Sequence, residues 1–143
     1  MASWQTPKTD WNGDSADGTY TGDYFNATDF NRIKNNLNYL REIAVKIYAD
    51  FEITEMSPDK SFADYAYADE FNVIEDNLET VNTKTLKKSY GATKHFVENG
   101  LFIDATELNR IEKAEQDLCK HFMNQLDGRR TFTMNFGINK GSF

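Results

Sequence analysis

The sequence predicts a mainly α fold: three amphipathic helices in a small bundle, built from a degenerate repeat, with extended N- and C-terminal arms and a candidate short β-hairpin. Three observations carry this expectation. Apolar residues recur at alternating spacings of three and four in three separate stretches. Those stretches resemble one another: TDFNRIKNNLNYL (28–40), ADEFNVIEDNLETV (68–81) and ATELNRIEKAEQDL (105–118). The segments flanking them are rich in aromatics and turn formers. A chain of 143 residues suits one domain and is long enough to bury a core without metals or disulfides.

The expected organisation is an extended arm over residues 1–25, a helical body over 26–128 with repeat units of about 24–57, 65–86 and 102–127, and a C-terminal strand or arm over 129–143. The arm contains WNGDSADGTYTGDY, whose Asn-Gly and Asp-Gly steps favour turns. Its Trp4 and Trp11 lie on no amphipathic element, so they either pack back on the body or dock on another subunit.

The first helix is marked by Phe30, Ile33, Leu37, Leu40, Ala44, Ile47 and Phe51. Asn26 is its expected N-cap, with Asp29 three residues on completing a capping box and suiting the helix dipole. Pro58 in EMSPDK ends it. The second, Phe71, Ile74, Leu78 and Val81, begins near Tyr67 or Ala68 and fades around 83–85. The third carries Leu108, Ile111, Leu118 and Phe122, capped by Asp104 with Glu107. Glu115 takes a place where an apolar residue is expected, and Asp127-Gly128 reads as the stop. Between the second and third helices, Asn99-Gly100 predicts a tight turn with HFV and LFI as short strands. After the third, RTFTMNF alternates Phe132, Met134 and Phe136 with polar residues and predicts a strand.

Aligning the three units brings further columns into register. Tyr24, Tyr65 and Phe102 are aromatic; Ala27, Ala68 and Ala105 match; Asp29, Glu70 and Glu107 are acidic; Ile33, Ile74 and Ile111 are identical. So are Asn31, Asn72 and Asn109. Helix amphipathicity explains the apolar columns but not the asparagines, because Asn is a mediocre helix residue. The expected role is a side-chain bond to the backbone of the incoming loop that fixes the angle between loop and helix.

Composition excludes several classes. The net charge is −7, so free nucleic acid is not an expected partner. The short basic patches, Lys84/Lys87/Lys88 and Arg129/Arg130, read as solvated surface. No apolar run is long enough to span a membrane, and MASWQTPKTDW has no signal-peptide core. The single cysteine, Cys119, forms no internal disulfide and reads as buried filler. Only two histidines occur, His95 and His121, without metal-ligand spacing. No nucleophile motif or phosphate loop is present, so neither catalytic residues nor a cofactor is expected and the chain reads as a non-enzyme. Asp10, Asn12, Asp14 and Asp17 begin like a calcium loop, but Ser15 stands where glycine belongs and Thr21 where the bidentate Glu belongs. A polar surface loop is the stronger reading there.

The phrases WQTPKTDW (4–11), GDYFNATDFNRIKNNLNYL (22–40) and DATELNRIEKAEQDL (104–118) together resemble small structural proteins of tailed bacteriophages and prophages of Gram-positive bacteria. In these, a segment of the form TPKTDW…DYFNxxDxNRIxxNxxYL recurs near the N-terminus of tail, baseplate or fibre-associated proteins. The resemblance covers residues 4–40 and, less fully, 100–118; Val73 in the middle unit departs from it. It implies a virion component of the phage tail region, made in the host cytoplasm, that works by assembly with other virion proteins as part of an oligomer. On that reading Trp4, Trp11 and Tyr20 at one end and Phe132, Phe136 and Phe143 at the other are the expected contact residues, aromatics being favoured anchors. For Phe132 and Phe136, covering the chain's own core is the stronger reading. Two other expectations stand beside it: a small acidic phage-encoded module engaging a host protein's basic surface, and a calcium-dependent binding domain built on the N-terminal loop.

Overall fold

The computed structural model describes residues 3–14, 21–22, 25–61, 67–96 and 105–138. Its elements are β1 (Gly13–Asp14), β2 (Thr21–Gly22), α1 (Ala27–Ile47), α2 (Ala68–Thr83) and α3 (Ala105–Ile138). The fold is a three-helix bundle, as the periodicity predicts. Each helix begins on the alanine of the repeat, at Ala27, Ala68 and Ala105. At the start of α1, Asn26 accepts the amides of Thr28 and Asp29, and Asp29 accepts the amide of Asn26. In α2 the amide of Tyr67 donates to Glu70 at 2.8 Å. Asp104 lies outside the described residues, as do the aromatic column and the Asn99-Gly100 turn.

The apolar columns meet on one axis. Phe30, Ile33, Leu37 and Leu40 of α1, Phe71, Ile74, Leu78 and Val81 of α2, and Leu108, Ile111, Leu118 and Phe122 of α3 are all buried. Each contributes about 1.5–3 kcal/mol by leaving water, before the cost of ordering it. Phe30 and Phe71 meet edge to face at 5.8 Å.

All three helices run parallel. Arg32 of α1 reaches Glu112 of α3 and Tyr39 reaches Met123, so these helices advance together. Glu75 of α2 meets Arg110 of α3, while Lys88 links Asn82 to Asp117, so α2 advances with them. Parallel neighbours need the chain to return between them. Two extended segments, here termed straps, residues 53–60 and 88–96, make these returns, and another, residues 4–11, lies along the bundle ahead of α1. The third in chain order runs antiparallel to α2: Lys88 lies on Asn82, Thr93 on Glu79, and Phe96 on Asn72.

Four expectations are corrected. α1 ends at Ile47, before Phe51. Phe51 is buried, but from the returning chain, where Arg41 holds its carbonyl through two hydrogen bonds of 3.0 and 2.7 Å. The stripe and the strap bury the same face, so spacing alone merged them. Second, α3 continues through Gly128 to Ile138, with no strand at 131–136. Extending a helix adds one hydrogen bond per residue, while a lone strand has no ladder to join; the roughly 1 kcal/mol cost of one glycine does not reverse that. Third, His95 and Phe96 are extended but unladdered, and the hairpin's other residues lie outside the described set. The ladder that does form is the two-residue pairing of Gly13 with Gly22 and Asp14 with Thr21. Fourth, residues 4–11 are extended but lie along the body.

Candidate interaction site: amide clamps and an open third groove

The repeated asparagines clamp the straps. The amide of Asn31 accepts the N–H of Lys60 at 2.7 Å and donates to its carbonyl at 2.9 Å. Asn72 does the same to Phe96, at 2.6 and 2.9 Å, and Asn109 to Trp11, at 2.7 and 2.9 Å. A primary amide presents one donor and one acceptor side by side, which matches the N–H and C=O of one residue in extended backbone. Only Asn and Gln carry such a group, and Asn is the shorter of the two. The expected side-chain bond to a loop is found, but its target is not the loop entering the same helix. Asn31 and Asn72 hold the strap that follows their helix, and Asn109 holds the N-terminal strap, closing the ring.

A second set of amides at one helix position holds the other end of two of the straps. Asn36 pairs with both backbone groups of Gln5 at 2.8 Å. Asn77 pairs with Thr54 at 2.9 and 2.7 Å. Each strap thus lies in a groove between two helices, bonded to both. The equivalent position in the third unit is Ala114.

Beneath the straps run buried ion pairs with the same rotation. Arg32 of α1 forms a fork on Glu112 of α3, at 2.7 and 2.8 Å. The fully buried Glu112 also accepts the indole N–H of Trp11 at 2.5 Å and the amide of Lys8 at 3.0 Å. In the next groove Arg110 of α3 donates to Glu75 of α2, which also accepts the amide of Lys94 at 3.3 Å. Burial raises the Glu75 carboxyl above its ordinary value, while Arg110 opposes that shift. The third member of the rotation is Val73 with Lys34, and Lys34 pairs instead with Asp59 of the second strap.

The third groove differs from the others. Without an amide at 114, the strap there takes another path. Lys87 and Gly91 have positive φ, 55° and 87°. Tyr90 donates to Asp117 at 2.6 Å, and Lys88 donates to Asp117 at 3.0 Å beside His121. Burial, reinforced by Asp117, raises the Tyr90 phenol above its usual value. Burial pushes Asp117 up, but the bonds from Tyr90 and Lys88 outweigh it and hold the carboxyl low. This arrangement fixes a strap end and leaves a groove of about 710 Å³ lined by Tyr90, Arg110, Lys113, Ala114, Gln116, Asp117 and Lys120.

The expected contact residues fall in different places. Trp11 is a core residue at 6% exposure, packed near Phe25, and Trp4 rests partly buried on Tyr39 at 5.6 Å. Both therefore pack back on the chain's own body. Tyr20 and Phe143 lie outside the described residues; Phe132 and Phe136 fall within α3, with side chains outside that set. In the calcium candidate, Asp10 is paired with Lys8 at 3.0 Å and Asn12 is exposed. Asp17 and the Asp14 side chain lie outside the described set, and no group of three or more metal-ligating side chains occurs among the described residues. Cys119 is half-buried, and burial raises its thiol, which disfavours the nucleophilic thiolate. No helix of the described residues is long and apolar enough to cross a membrane.

Sequence reasoning missed Asn36, Asn77, Glu112, Lys113 and Lys120. The first two were visible as a further column of the repeat, interrupted by Ala114. Comparison with protein families, curated proteins and solved structures finds no match for this chain.

Proposed function

We propose that the chain is a non-enzymatic structural protein of a phage virion, an adaptor or connector in the tail, baseplate or fibre attachment region. One observation carries this reading. The phrases that resemble phage structural proteins supply residues of the framework: Trp11, Asn31, Arg32, Asn36, Asn109 and Glu112 all clamp straps or join helices. A motif whose residues are used for rigidity fits a part that works by holding shape. The parallel bundle with bonded straps is suited to transmit position between neighbours, since its amide and ion-pair contacts resist bending. Mass spectrometry of purified particles from the producing strain tests the proposal. Many stoichiometric copies are expected; total absence from particles would remove it.

A further inference from the structure

We propose that the third groove is a docking site for an acidic, extended segment of a different protein. This inference does not depend on whether the chain resides in a particle.

Position and shape come first. The same helix position that carries Asn36 in α1 and Asn77 in α2 holds extended backbone in both. Ala114 offers no amide and is itself buried. The chain's own strap is held instead by Asn82, which pairs with both backbone groups of Lys88 at 2.6 and 3.0 Å, and by Asp117, and an open groove remains alongside. A groove of about 710 Å³ falls within the range of ordinary ligand sites. The architecture therefore binds extended polypeptide between its helices, and beside the third strap it leaves a groove that its own described residues do not fill.

Charge selects the occupant. Of the lining cations, Arg110 is held by Glu75 and Glu107, and Asp117 is offset by Lys88. Lys113 and Lys120 are exposed and join no ion pair among the described residues. Seven positions apart, they lie on one helix face about 10 Å apart, the span of about three residues of extended chain. The segment 80–97, whose Tyr90 lines the groove, contains Lys84, Lys87, Lys94 and the Asp117-paired Lys88 and no Asp or Glu. Such a concentration in a chain of net charge −7 is local, and it attracts carboxylates while two copies of the whole chain repel.

The test is a titration of the full ¹⁵N-labelled chain with a Glu-Ser repeat peptide and, separately, a Gln-Ser repeat peptide. The acidic peptide is expected to shift the amides of Tyr90, Lys113, Ala114 and Gln116 saturably, and the neutral peptide is not. K113E with K120E is expected to weaken binding at least about tenfold, equivalent to about 1.4 kcal/mol. K113Q with K120Q gives a smaller loss and serves if the reversed pair fails to fold, while K46E leaves affinity unchanged. Unaltered affinity in both lysine pairs, shifts elsewhere, or no saturation would overturn the proposal. So would tighter binding of a single-stranded oligonucleotide in the same groove. Identical shifts on concentrating the chain alone would make the occupant a second copy and overturn the assignment to a different protein.

Discussion

The side-chain amide of Asn109 closes two hydrogen bonds on the backbone of Trp11, 98 positions earlier in the chain. Replacing Asn109 by Ala leaves a strap N–H and C=O without partners, which costs about 1–3 kcal/mol. The expected result is a lower denaturant midpoint together with faster hydrogen exchange at Trp11. Asn31→Ala and Asn72→Ala should cost similar amounts. An unchanged midpoint in all three would show that the clamps are incidental.

Glu115 is fully buried, and neither carboxylate oxygen has a hydrogen-bond partner among the described residues. Its counterparts in the other units are Leu37 and Leu78. Glu115→Leu is therefore expected to stabilise the bundle by about 1–3 kcal/mol, read as a raised midpoint. A destabilised variant would mean that the carboxyl has a partner the fold requires.

The same residue sets a pH dependence. Burial, with Glu112 adding repulsion and Arg32 partly opposing, raises its pKa well above 4.5. A raised folded value means the unfolded chain releases the proton first. The stability contribution of the neutral acid is complete below about 4.5 and is lost as pH rises through the folded value. Melting temperature should thus decline with increasing pH in the parent chain more steeply than in Glu115→Gln. Parallel curves for the two would contradict the assignment.

Arg32 and Arg110 each bond a buried glutamate on the neighbouring helix, and Val73 with Lys34 replaces the third such pair. Arg32→Met strands Glu112 in the interior and is expected to cost about 3–5 kcal/mol. Val73→Arg alone places a cation toward Lys34 and should destabilise. Combined with Lys34→Glu it should recover part of the loss, with a coupling of at least about 1 kcal/mol in a double-mutant cycle. Strict additivity would argue that the rotation does not extend to this pair.

Gly91 adopts φ +87°, and a Cβ there would stand 2.7 Å from Cδ of Arg110. Arg110 is fixed by its ion pairs, so it cannot swing aside cheaply. Gly91→Ala should cost more than about 1 kcal/mol, measured by urea unfolding.

Helix number, helix starts and core residues were legible because apolar spacing and capping are local. Ala27, Ala68 and Ala105 could be placed by self-alignment alone. The recurring asparagines were legible as an anomaly, since propensity disfavours them, and their use as amide clamps follows from that. The straps were not legible, because extended backbone held by side chains has no hydrophobic period. Phe51 shows the reason: it continues the helical spacing of α1 while belonging to the return. Lys113 and Lys120 look like any solvated helix face until the fold shows that the adjoining groove is open. The run at 131–136 misled because a period of two has meaning only where a neighbouring strand exists.

Because Trp11 rests on Asn109, the strap at 4–11 waits for α3, which is synthesised about a hundred residues later. A nascent polypeptide that has emerged only as far as α2 has no Glu112 to receive the indole and no floor for the first groove. Completion is therefore limited by closure of a very long loop, and a product truncated after α2 should expose Trp4 and Trp11 to proteases and chaperones.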